Sequence, residues 1–451
     1  MNKLIKVILL IFIIISICNY LLAEIKITDI DNRSFRGDLI TFEDNKVIVS
    51  PKDGTPVSST YDNIAGITLS PPVTAPILKT ETDYFKIVFA NQDVLYGTIS
   101  DTGKGSFVIN NSLIGKVIIK FEQLSLIERV DNDKRLTSQV LFSGVKQADK
   151  QDNIFLISGD TDSGVVISLT PETIILKSSL YNKERSYKIK DIKAVSFFSP
   201  AVVGSLRSLQ EGRDKIISPT LQSVVYLIDN SQLSGSIIKP GPGVQGLGLS
   251  TDKTTYYLPI QTINFIYFRN NRCVYLSDIE PIEVKEYIVS PDSSGASPEG
   301  EPRPNGGRPN DACPVRDDLM NTFLWHYQKD RSVFSGQHIS LQGKKYFKGL
   351  SVHANCELRY KLDKSYQRFF ATIGLDDSAI VQSDDFEGSV RFIVYLDGQK
   401  VYESDTFKST VKPTDIALDV KGGNELRLVV NDAGDGYMLD RAAWASAYLT
   451  K

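Results

Sequence analysis

Four stretches in the first two-thirds of the chain share one pattern of apolar and polar positions. In each stretch an apolar strand is followed by a polar turn, a glycine and a second strand rich in β-branched residues. The stretches cover residues 24–69, 83–130, 152–198 and 222–269, and their glycines are Gly37, Gly97, Gly164 and Gly235. A pattern that recurs four times predicts a tandem array of one small β unit.

Each stretch closes with two apolar residues three positions apart. The pairs are Ile64 and Ile67, Leu124 and Ile127, Ile192 and Val195, and Ile263 and Ile266. A spacing of three does not fit the two-residue period of a strand, and it indicates one helical turn before a last strand. Together with a glycine where the sheet bends, the pattern predicts four SH3-like or Sm-like β-barrels. Short β-meanders of another shape are the alternative.

The pattern changes near residue 290. Residues 290–316 are dense in Pro, Gly and Ser without an apolar period, which predicts a linker. From Leu350 to Leu362 apolar and polar residues then alternate strictly, which predicts a strand with Cys356 on its core face and His353 on its outer face. Later segments of the same kind, such as SVRFIVYL and NELRLVV, predict an antiparallel β-sandwich over residues 317–451. The predicted fold class is therefore all-β.

The first residues predict the compartment. Lys3 and Lys6 precede an apolar run from residue 7 to residue 17, which is typical of a secretory signal peptide over residues 1–23. An uncleaved membrane anchor is the alternative, although the run is short for a membrane span. We therefore expect an extracytoplasmic protein that is periplasmic, cell-surface or secreted. With a formal net charge of −3 and no basic stripe, nucleic acid is not an expected partner.

Cysteine and histidine are scarce. The chain has four cysteines and three histidines, none of them at CxxC or HExxH spacing, so we expect no zinc site and no other cofactor. Cys356 is predicted to be a small buried residue and not a reactive thiol. SGDTDSG in the third repeat places Asp160 and Asp162 beside Ser163. Because the fourth repeat has IDNSQLSG at the same place, this segment is predicted to be the turn of the repeat, not a nucleophile or calcium loop.

The last third of the chain resembles a known family. The blocks that carry the resemblance are DRSVFSG, YFKGLSVHANCELRYKL, FFATIGLDDS, GSVRFIVYLDGQKVYES and LRLVVNDAGDGYMLDRAAWASAYL. In order and spacing they are similar to the NPCBM family of carbohydrate-binding modules, which has a galactose-binding-domain-like jelly-roll fold. The resemblance implies secretion, attachment to other modules, and binding of glycans, often galactose-containing, through loops at one rim of the sandwich.

Several residues after predicted strands or in glycine-containing turns are candidates for glycan contact. A sugar presents an apolar ring face and several hydroxyls, so its site needs an aromatic ring with carboxylates or amides around it. The candidates are Asp376, Asp377, Asp432, Asp435, Tyr437 and His353. For each acid, a turn-capping role fits equally well, and for His353 so does an ordinary solvated sheet face. Clustered carboxylates would also suit a structural calcium ion, although NDAGDGYMLD does not match the EF-hand pattern.

Catalysis is not expected. The adjacent acids Asp376 with Asp377 and Asp384 with Asp385 do not by themselves flank a glycosidic bond, and the upstream repeats are too small for a catalytic barrel. The predicted function is non-catalytic binding of carbohydrate or polysaccharide, with the repeats as spacer or interaction modules. Alternatives are a structural or protein-interaction protein that binds other envelope proteins, or an accessory subunit of a glycoside hydrolase system.

The segment NDAGDGYMLDRAAW is predicted to have a structural part and a ligand-binding part. Trp444 lies in the alternating run that follows, and it is therefore predicted to be a core residue of the closing strand. Asp440 is predicted to fix the turn into that strand. Asp432, Asp435 and Tyr437 are left as the part of the segment that contacts a ligand or metal.

Overall fold

The structure, a computed structural model, describes most of the chain. The described residues are 24–52, 54–69, 83–103, 105–130, 151–198, 222–240, 246–251, 254–269, 272–286, 326–380, 387–436 and 438–451. The chain divides into two compact units at residue 270. Every regular element in the described residues is a β-strand or a single 3-10 turn, which confirms the all-β prediction. Among the same residues, no helix is long and apolar enough to span a membrane.

The N-terminal unit contains four repeats of five strands. Repeat 1 comprises β1 (Glu24–Asp29), β2 (Ser34–Phe42), β3 (Lys46–Ser50), β4 (Val57–Thr60) and β5 (Ile64–Leu69). Repeat 2 comprises β6 (Phe85–Phe89), β7 (Val94–Gly103), β8 (Ser106–Asn111), β9 (Gly115–Lys120) and β10 (Leu124–Arg129). Repeat 3 comprises β11 (Asp152–Leu156), β12 (Thr161–Leu169), β13 (Thr173–Ser178), β14 (Lys183–Lys188) and β15 (Ile192–Ser196). Repeat 4 comprises β16 (Gln222–Leu227), β17 (Gln232–Ile238), β18 (Gly246–Ser250), β19 (Thr255–Pro259) and β20 (Ile263–Arg269).

The strands of each repeat follow one antiparallel order. The first strand pairs with the second and with the fifth, as β1 does with β2 and β5. The predicted helical turn is present before each fifth strand as a 3-10 turn, at Tyr61–Asn63, Phe121–Gln123, Ile189–Asp191 and Ile260–Thr262. Closed barrels, in contrast, are not confirmed, since no ladder in the described residues joins a fourth strand to a fifth. The outer edge of each fifth strand instead pairs with another repeat, β5 with β20 and β10 with β15.

The four repeat glycines lie where a neighbouring strand passes very close. A Cβ built on Gly164 would lie 2.0 Å from the carbonyl oxygen of Lys177, and one on Gly235 would lie 2.5 Å from that of Ser250. The same holds at Gly37, 2.8 Å from a backbone oxygen. These distances are too short for any side chain, so the glycine is required by backbone contact between the second and third strands.

Apolar side chains from two repeats combine in each core of the N-terminal unit. Repeats 1 and 4 share one cluster, which includes Ile25, Phe42, Val225 and Leu258. Repeats 2 and 3 share another, which includes Ile87, Phe107, Ile154 and Leu176. A single repeat is too small to bury a core of its own, so the pair of repeats is the packing unit.

The C-terminal unit is a β-sandwich. Its strands are β21 (Cys273–Tyr275), β22 (Glu283–Glu286), β23 (Gln328–Lys329), β24 (Ile339–Leu341), β25 (Lys344–Tyr346), β26 (Gly349–His353), β27 (Cys356–Lys361), β28 (Arg368–Leu375), β29 (Arg391–Leu396), β30 (Gln399–Glu403), β31 (Thr414–Asp419), β32 (Glu425–Asn431) and β33 (Arg441–Thr450). One sheet has the order β23-β26-β33-β28-β31 with β21 also on β33, and the other has the order β22-β27-β32-β29-β30. A small hairpin of β24 and β25 completes the unit.

The sandwich core lies between these sheets. Trp444 is 1% exposed, and its ring meets that of Phe392 edge-on with the centroids 4.9 Å apart. The prediction that Trp444 is a core residue is therefore confirmed. Cys356 is also buried in this core, as the alternation predicts.

One predicted strand of the sandwich differs from the sequence pattern in two ways. The strand predicted from Leu350 to Leu362 is in fact two strands, because the chain leaves one sheet after His353 and enters the other at Cys356. Asn355 lies in this crossover and is buried, although the alternation predicts an outward side chain. Residues 273–286, upstream of the linker, supply β21 and β22 to the two sheets.

Candidate functional site

Several loops of the sandwich meet at one rim. His353 at the end of β26 pairs with Arg441 at the start of β33, and Cys356 at the start of β27 pairs with Val430 near the end of β32. Antiparallel register therefore brings the loops 353–356, 376–380, 387–390 and 431–441 to the same end of the sandwich. Five of the six candidate residues lie on this rim, and Tyr437 lies outside the described residues.

Asp376 and Asp377 hold one corner of the rim together. Asp376 is 2% exposed and caps the 3-10 turn Asp377–Ala379, where it accepts a hydrogen bond from the amide of Ser378 at 3.0 Å. Its carboxylate also accepts from the hydroxyl of Ser332 at 2.9 Å. Asp377 accepts from the amide of Gly343 at 2.9 Å. Both carboxylates therefore fix loops, which is the turn-capping alternative that the sequence leaves open.

A second corner is built around Asp432 and Asp435. Asp432 is 9% exposed, and the amide side chain of Asn355 donates to its carboxylate at 3.2 Å while accepting from its backbone N–H at 3.0 Å. Asp435 is exposed and accepts from the hydroxyl of Ser389 with both oxygens, at 2.7 and 2.8 Å. Of these two acids, Asp435 is the one that solvent or a ligand reaches.

Asp440 lies beneath this corner. It is fully buried, and one of its carboxylate oxygens accepts from the amide of Ser389 at 2.7 Å while the other has no hydrogen-bond partner. Burial is the main cause that raises the pKa of Asp440 to about 8, and the charges of Asp435 and Asp432 raise it further. The side chain is therefore neutral at physiological pH. The contact with Ser389 joins the start of β33 to the loop before β29, and a role of Asp440 in the turn into β33 stays a prediction.

An exposed aromatic ring lies on the rim beside Arg441. The guanidinium carbon of Arg441 is 3.6 Å from the ring centroid of Phe334, and the phenyl ring is 46% exposed. Arg441 also donates to the carbonyl oxygen of Ser378. His353 lies opposite Arg441 in the ladder, and burial lowers its pKa, so its imidazole is neutral near pH 7. The rim therefore combines an apolar ring face with a fixed cation.

The sequence pattern does not indicate Phe334, Arg441 or Ser389 as site residues. Phe334 and Arg441 are 107 positions apart in the sequence and meet only in the folded sandwich. The sequence feature that could have identified Phe334 is the block DRSVFSG, which contains this residue and is part of the resemblance to the NPCBM family. A phenylalanine in a polar, serine-containing loop is unusual for a core residue and is a reasonable candidate for ligand contact.

Among the described residues, the acids on this rim are not grouped as a metal cluster. In the part of the chain that the structure describes, no three His, Cys, Asp or Glu side chains are grouped to hold a metal ion. The oxygens of Asp432 and Asp435 are instead engaged by Asn355, Gly434 and Ser389. These hydrogen bonds hold the two carboxylates in place, and a calcium ion on them stays a prediction.

A comparison with protein families matches the sandwich. The model of the NPCBM/NEW2 domain matches residues 316–450. This C-terminal third is an NPCBM/NEW2 domain. The resemblance noted from the sequence is thus confirmed, and the structure adds residues 272–286 to the unit in which the domain lies.

Three known proteins illustrate the similarity. A protein of Renibacterium salmoninarum with the inferred name endo-alpha-N-acetylgalactosaminidase is 29% identical over 114 residues, which are 25% of this chain and 7% of that protein. The CBM51 module of Clostridium perfringens GH95, solved with methyl-galactose, is 26% identical and matches 40% of this chain and 99% of its own, with a TM-score of 0.29.

The tandem CBM51 modules of a family 98 glycoside hydrolase from Streptococcus pneumoniae are 14% identical, with 94% and 88% of the two chains covered and a TM-score of 0.30. Neither TM-score is high enough to establish that the folds superpose.

Proposed function

We propose that the C-terminal sandwich binds carbohydrate through the rim that contains Phe334 and Arg441. The observation that carries the proposal is the exposed ring of Phe334, held against the guanidinium of Arg441 at the loop end of an NPCBM/NEW2 domain. An aromatic ring at such a position provides a surface for the apolar face of a pyranose. The exposed carboxylate of Asp435, on the same rim, provides hydrogen-bond acceptors for sugar hydroxyls.

The rim is preorganised for such a ligand. Asp376, Asp377 and Asp432 are committed to hydrogen bonds within the loops, so their contribution is to hold the loop backbone in place. A rigid site loses little conformational entropy when a sugar binds, which matters because single sugar hydroxyls gain little over water. In this proposal Phe334, Arg441, His353 and Asp435 are the residues nearest the ligand.

The finer parts of the proposal come from the sequence. The glycan contains galactose or a related sugar, the protein acts outside the cytoplasm, and binding is not accompanied by catalysis. The N-terminal repeats serve as a spacer or an interaction module, with other envelope proteins as potential partners. A structural calcium ion stays a prediction, and a rise in melting temperature on calcium addition that EGTA reverses would support it.

A glycan array with the full chain tests the proposal. The array includes methyl-galactose, N-acetylgalactosamine and N-acetylglucosamine together with galactose-containing polysaccharides. We expect saturable binding that Phe334→Ala weakens by roughly 10-fold, since stacking on one aromatic ring is worth about 1.4 kcal/mol.

The matched control is Tyr257→Ala, which removes an exposed aromatic ring from the N-terminal unit. We expect this variant to bind like the parent chain. Absence of saturable binding to every glycan would overturn the proposed function. Equal loss of binding in both variants would mean that the rim is not the binding site.

A further inference from the structure

The repeats of the N-terminal unit pair through equivalent positions. In the ladder between β5 and β20, Ile67 lies opposite Ile266, and in the ladder between β10 and β15, Ile127 lies opposite Val195. All four residues are the second apolar residue of the closing pair of their repeat. Contact of the same surface from both partners is the arrangement of a two-fold interface.

Repeats 2 and 4 make a second kind of contact that is also between equivalent positions. Val94 at the start of β7 pairs with Gln232 at the start of β17, and each lies three positions before the glycine of its repeat. The amide of Tyr96 donates to the hydroxyl of Ser231 at 3.1 Å. We call the start of the second strand, with the turns beside it, the junction surface.

Side chains from neighbouring turns fill this junction. The side chain of Asn111 is 1% exposed and donates to the carboxylate of Asp229 at 2.7 Å. In the turn between β8 and β9, Leu113 and Ile114 pack against the apolar cluster of repeats 1 and 4. The turn between the third and fourth strands of repeat 2 is therefore an apolar part of the junction surface.

These ladders link the repeats in the order 1, 4, 2, 3. Repeats 1 and 3 thus stand at the two ends of the array, each with the counterpart of the junction surface. Ser34 and Thr161, the counterparts of Val94 and Gln232, are both exposed. Across the described residues, neither β2 nor β12 forms the ladder between repeats that joins β7 to β17.

The two ends of the array differ in polarity. On repeat 1, the counterpart of the apolar turn is residues 51–56, which contain Lys52 and Gly54 and no large apolar side chain. Arg33 is ion-paired with Asp29 and Asp31 in the neighbouring turn of the same repeat. A polar outer face of this kind is what the end of a repeat array requires for solubility.

Repeat 3 instead exposes apolar side chains at the same place. Leu180 is 78% exposed, Tyr181 is 51% exposed and Ile157 in the adjacent turn is 59% exposed. Leu180 and Tyr181 occupy the turn between β13 and β14, where repeat 2 has Leu113 and Ile114. The guanidinium of Arg185, ion-paired with Asp162 at 3.2 Å, lies 4.4 Å from the centroid of the Tyr181 ring and holds the turn in place.

We propose that the junction surface of repeat 3 binds the same surface on a second copy of this chain. We choose this occupant because two such surfaces already meet inside the chain, in repeats 2 and 4, where the equivalent residues Val94 and Gln232 lie opposite each other. A contact of repeat 3 with repeat 3 is two-fold and closes at a dimer, whereas the polar surface of repeat 1 prevents growth into a fibre. In this dimer Leu180 and Tyr181 are buried.

Sedimentation velocity over a series of protein concentrations tests the proposal on the full chain. We expect a reversible dimer, and we expect Leu180→Asp to raise its dissociation constant by at least roughly 30-fold, as for a residue central to an interface. The matched control is Ile118→Asp, which places the same charge on a 73% exposed isoleucine of β9. This control stays dimeric, and equal circular dichroism spectra of both variants establish that they fold.

A crosslinking experiment tests the two-fold geometry. In a chain whose Cys18 and Cys313 are replaced by serine, Tyr181→Cys with a short bis-maleimide is expected to give a covalent dimer, whereas the same chain without Tyr181→Cys is not. A parent chain that is monomeric at all concentrations would overturn the proposal. This includes the case in which residues 199–221 of the same chain occupy the surface of repeat 3. A dimer that Leu180→Asp leaves intact, or that Tyr181→Cys does not crosslink, would equally overturn it.

Discussion

The replacement Asp440→Asn has an effect on stability that depends on pH. In the folded sandwich the pKa of Asp440 is about 8, against an ordinary value of 3.8, chiefly because the side chain is buried. The folded protein therefore keeps this carboxyl protonated at pH values where the unfolded chain has released the proton. Since the unfolded state binds fewer protons between pH 4 and pH 8, the free energy of unfolding falls as the pH rises through this range.

The size of this effect follows from the two pKa values. One pH unit in this range corresponds to about 1.4 kcal/mol. Between pH 5 and pH 7 the carboxyl should therefore lower the stability of the parent protein by about 2.5 kcal/mol. Asparagine has nearly the same shape, stays neutral at all pH values, and keeps an oxygen for the amide of Ser389. From pH 5 to pH 7, the free energy of unfolding of Asp440→Asn relative to that of the parent should thus increase by about 2.5 kcal/mol.

Urea unfolding followed by tryptophan fluorescence measures this difference. Trp444 is buried in the core of the C-terminal unit, so a change in its emission follows the unfolding of this unit. As a control, Asp363→Asn removes a carboxylate from an exposed turn at the other end of the sandwich. Its pH series gives the background against which the Asp440→Asn series is compared.

The result that would refute the reasoning is a difference between parent and Asp440→Asn that is constant from pH 5 to pH 7. Asp440 would then titrate alike in the folded and unfolded chain, and burial beneath the rim would not govern its proton. A difference that shrinks with rising pH would mean that the folded protein stabilises the charged carboxylate.

Further predictions concern the core and a buried ion pair of the C-terminal unit. Trp444→Ala should lower the free energy of unfolding by about 3–5 kcal/mol in urea titrations, because it removes a buried ring from the centre of the sandwich; an unchanged stability would contradict the assigned core. Lys348 is 2% exposed and contacts Asp278 at 2.9 Å and Asp330 at 2.6 Å. Lys348→Met should cost about 3 kcal/mol, since it leaves two partly buried carboxylates without their cation; a stability within 0.5 kcal/mol of the parent, roughly the effect of a surface change, would argue against this.

Patterns with a short period were sufficient to predict much of the fold. The glycine of each repeat, the 3-10 turn before each fifth strand and the burial of Trp444 all follow from local spacing. Barrel closure does not follow from local spacing, because it depends on which strand pairs with the outer edge of the fifth strand. Ile67 pairs with Ile266, about 200 positions away, and alternation within β5 contains no trace of that choice.

The site was only partly predictable for a similar reason. Acids after strands were selected because such positions carry function, and the structure does bring Asp376, Asp432 and Asp435 to one rim. Which acid is buried and which is exposed depends on donors from distant segments, such as Ser332 for Asp376 and Ser389 for Asp435. A single sequence does not show these contacts, since they form only when the sheets pair.

The most direct test of the central claim is a calorimetric titration of the strongest ligand from the array into the parent chain and Phe334→Ala. We expect saturable binding by the parent and an affinity at least roughly 10-fold lower for the variant at equal stability. Binding with the same affinity in both proteins would contradict a carbohydrate site on the rim of Phe334 and Arg441.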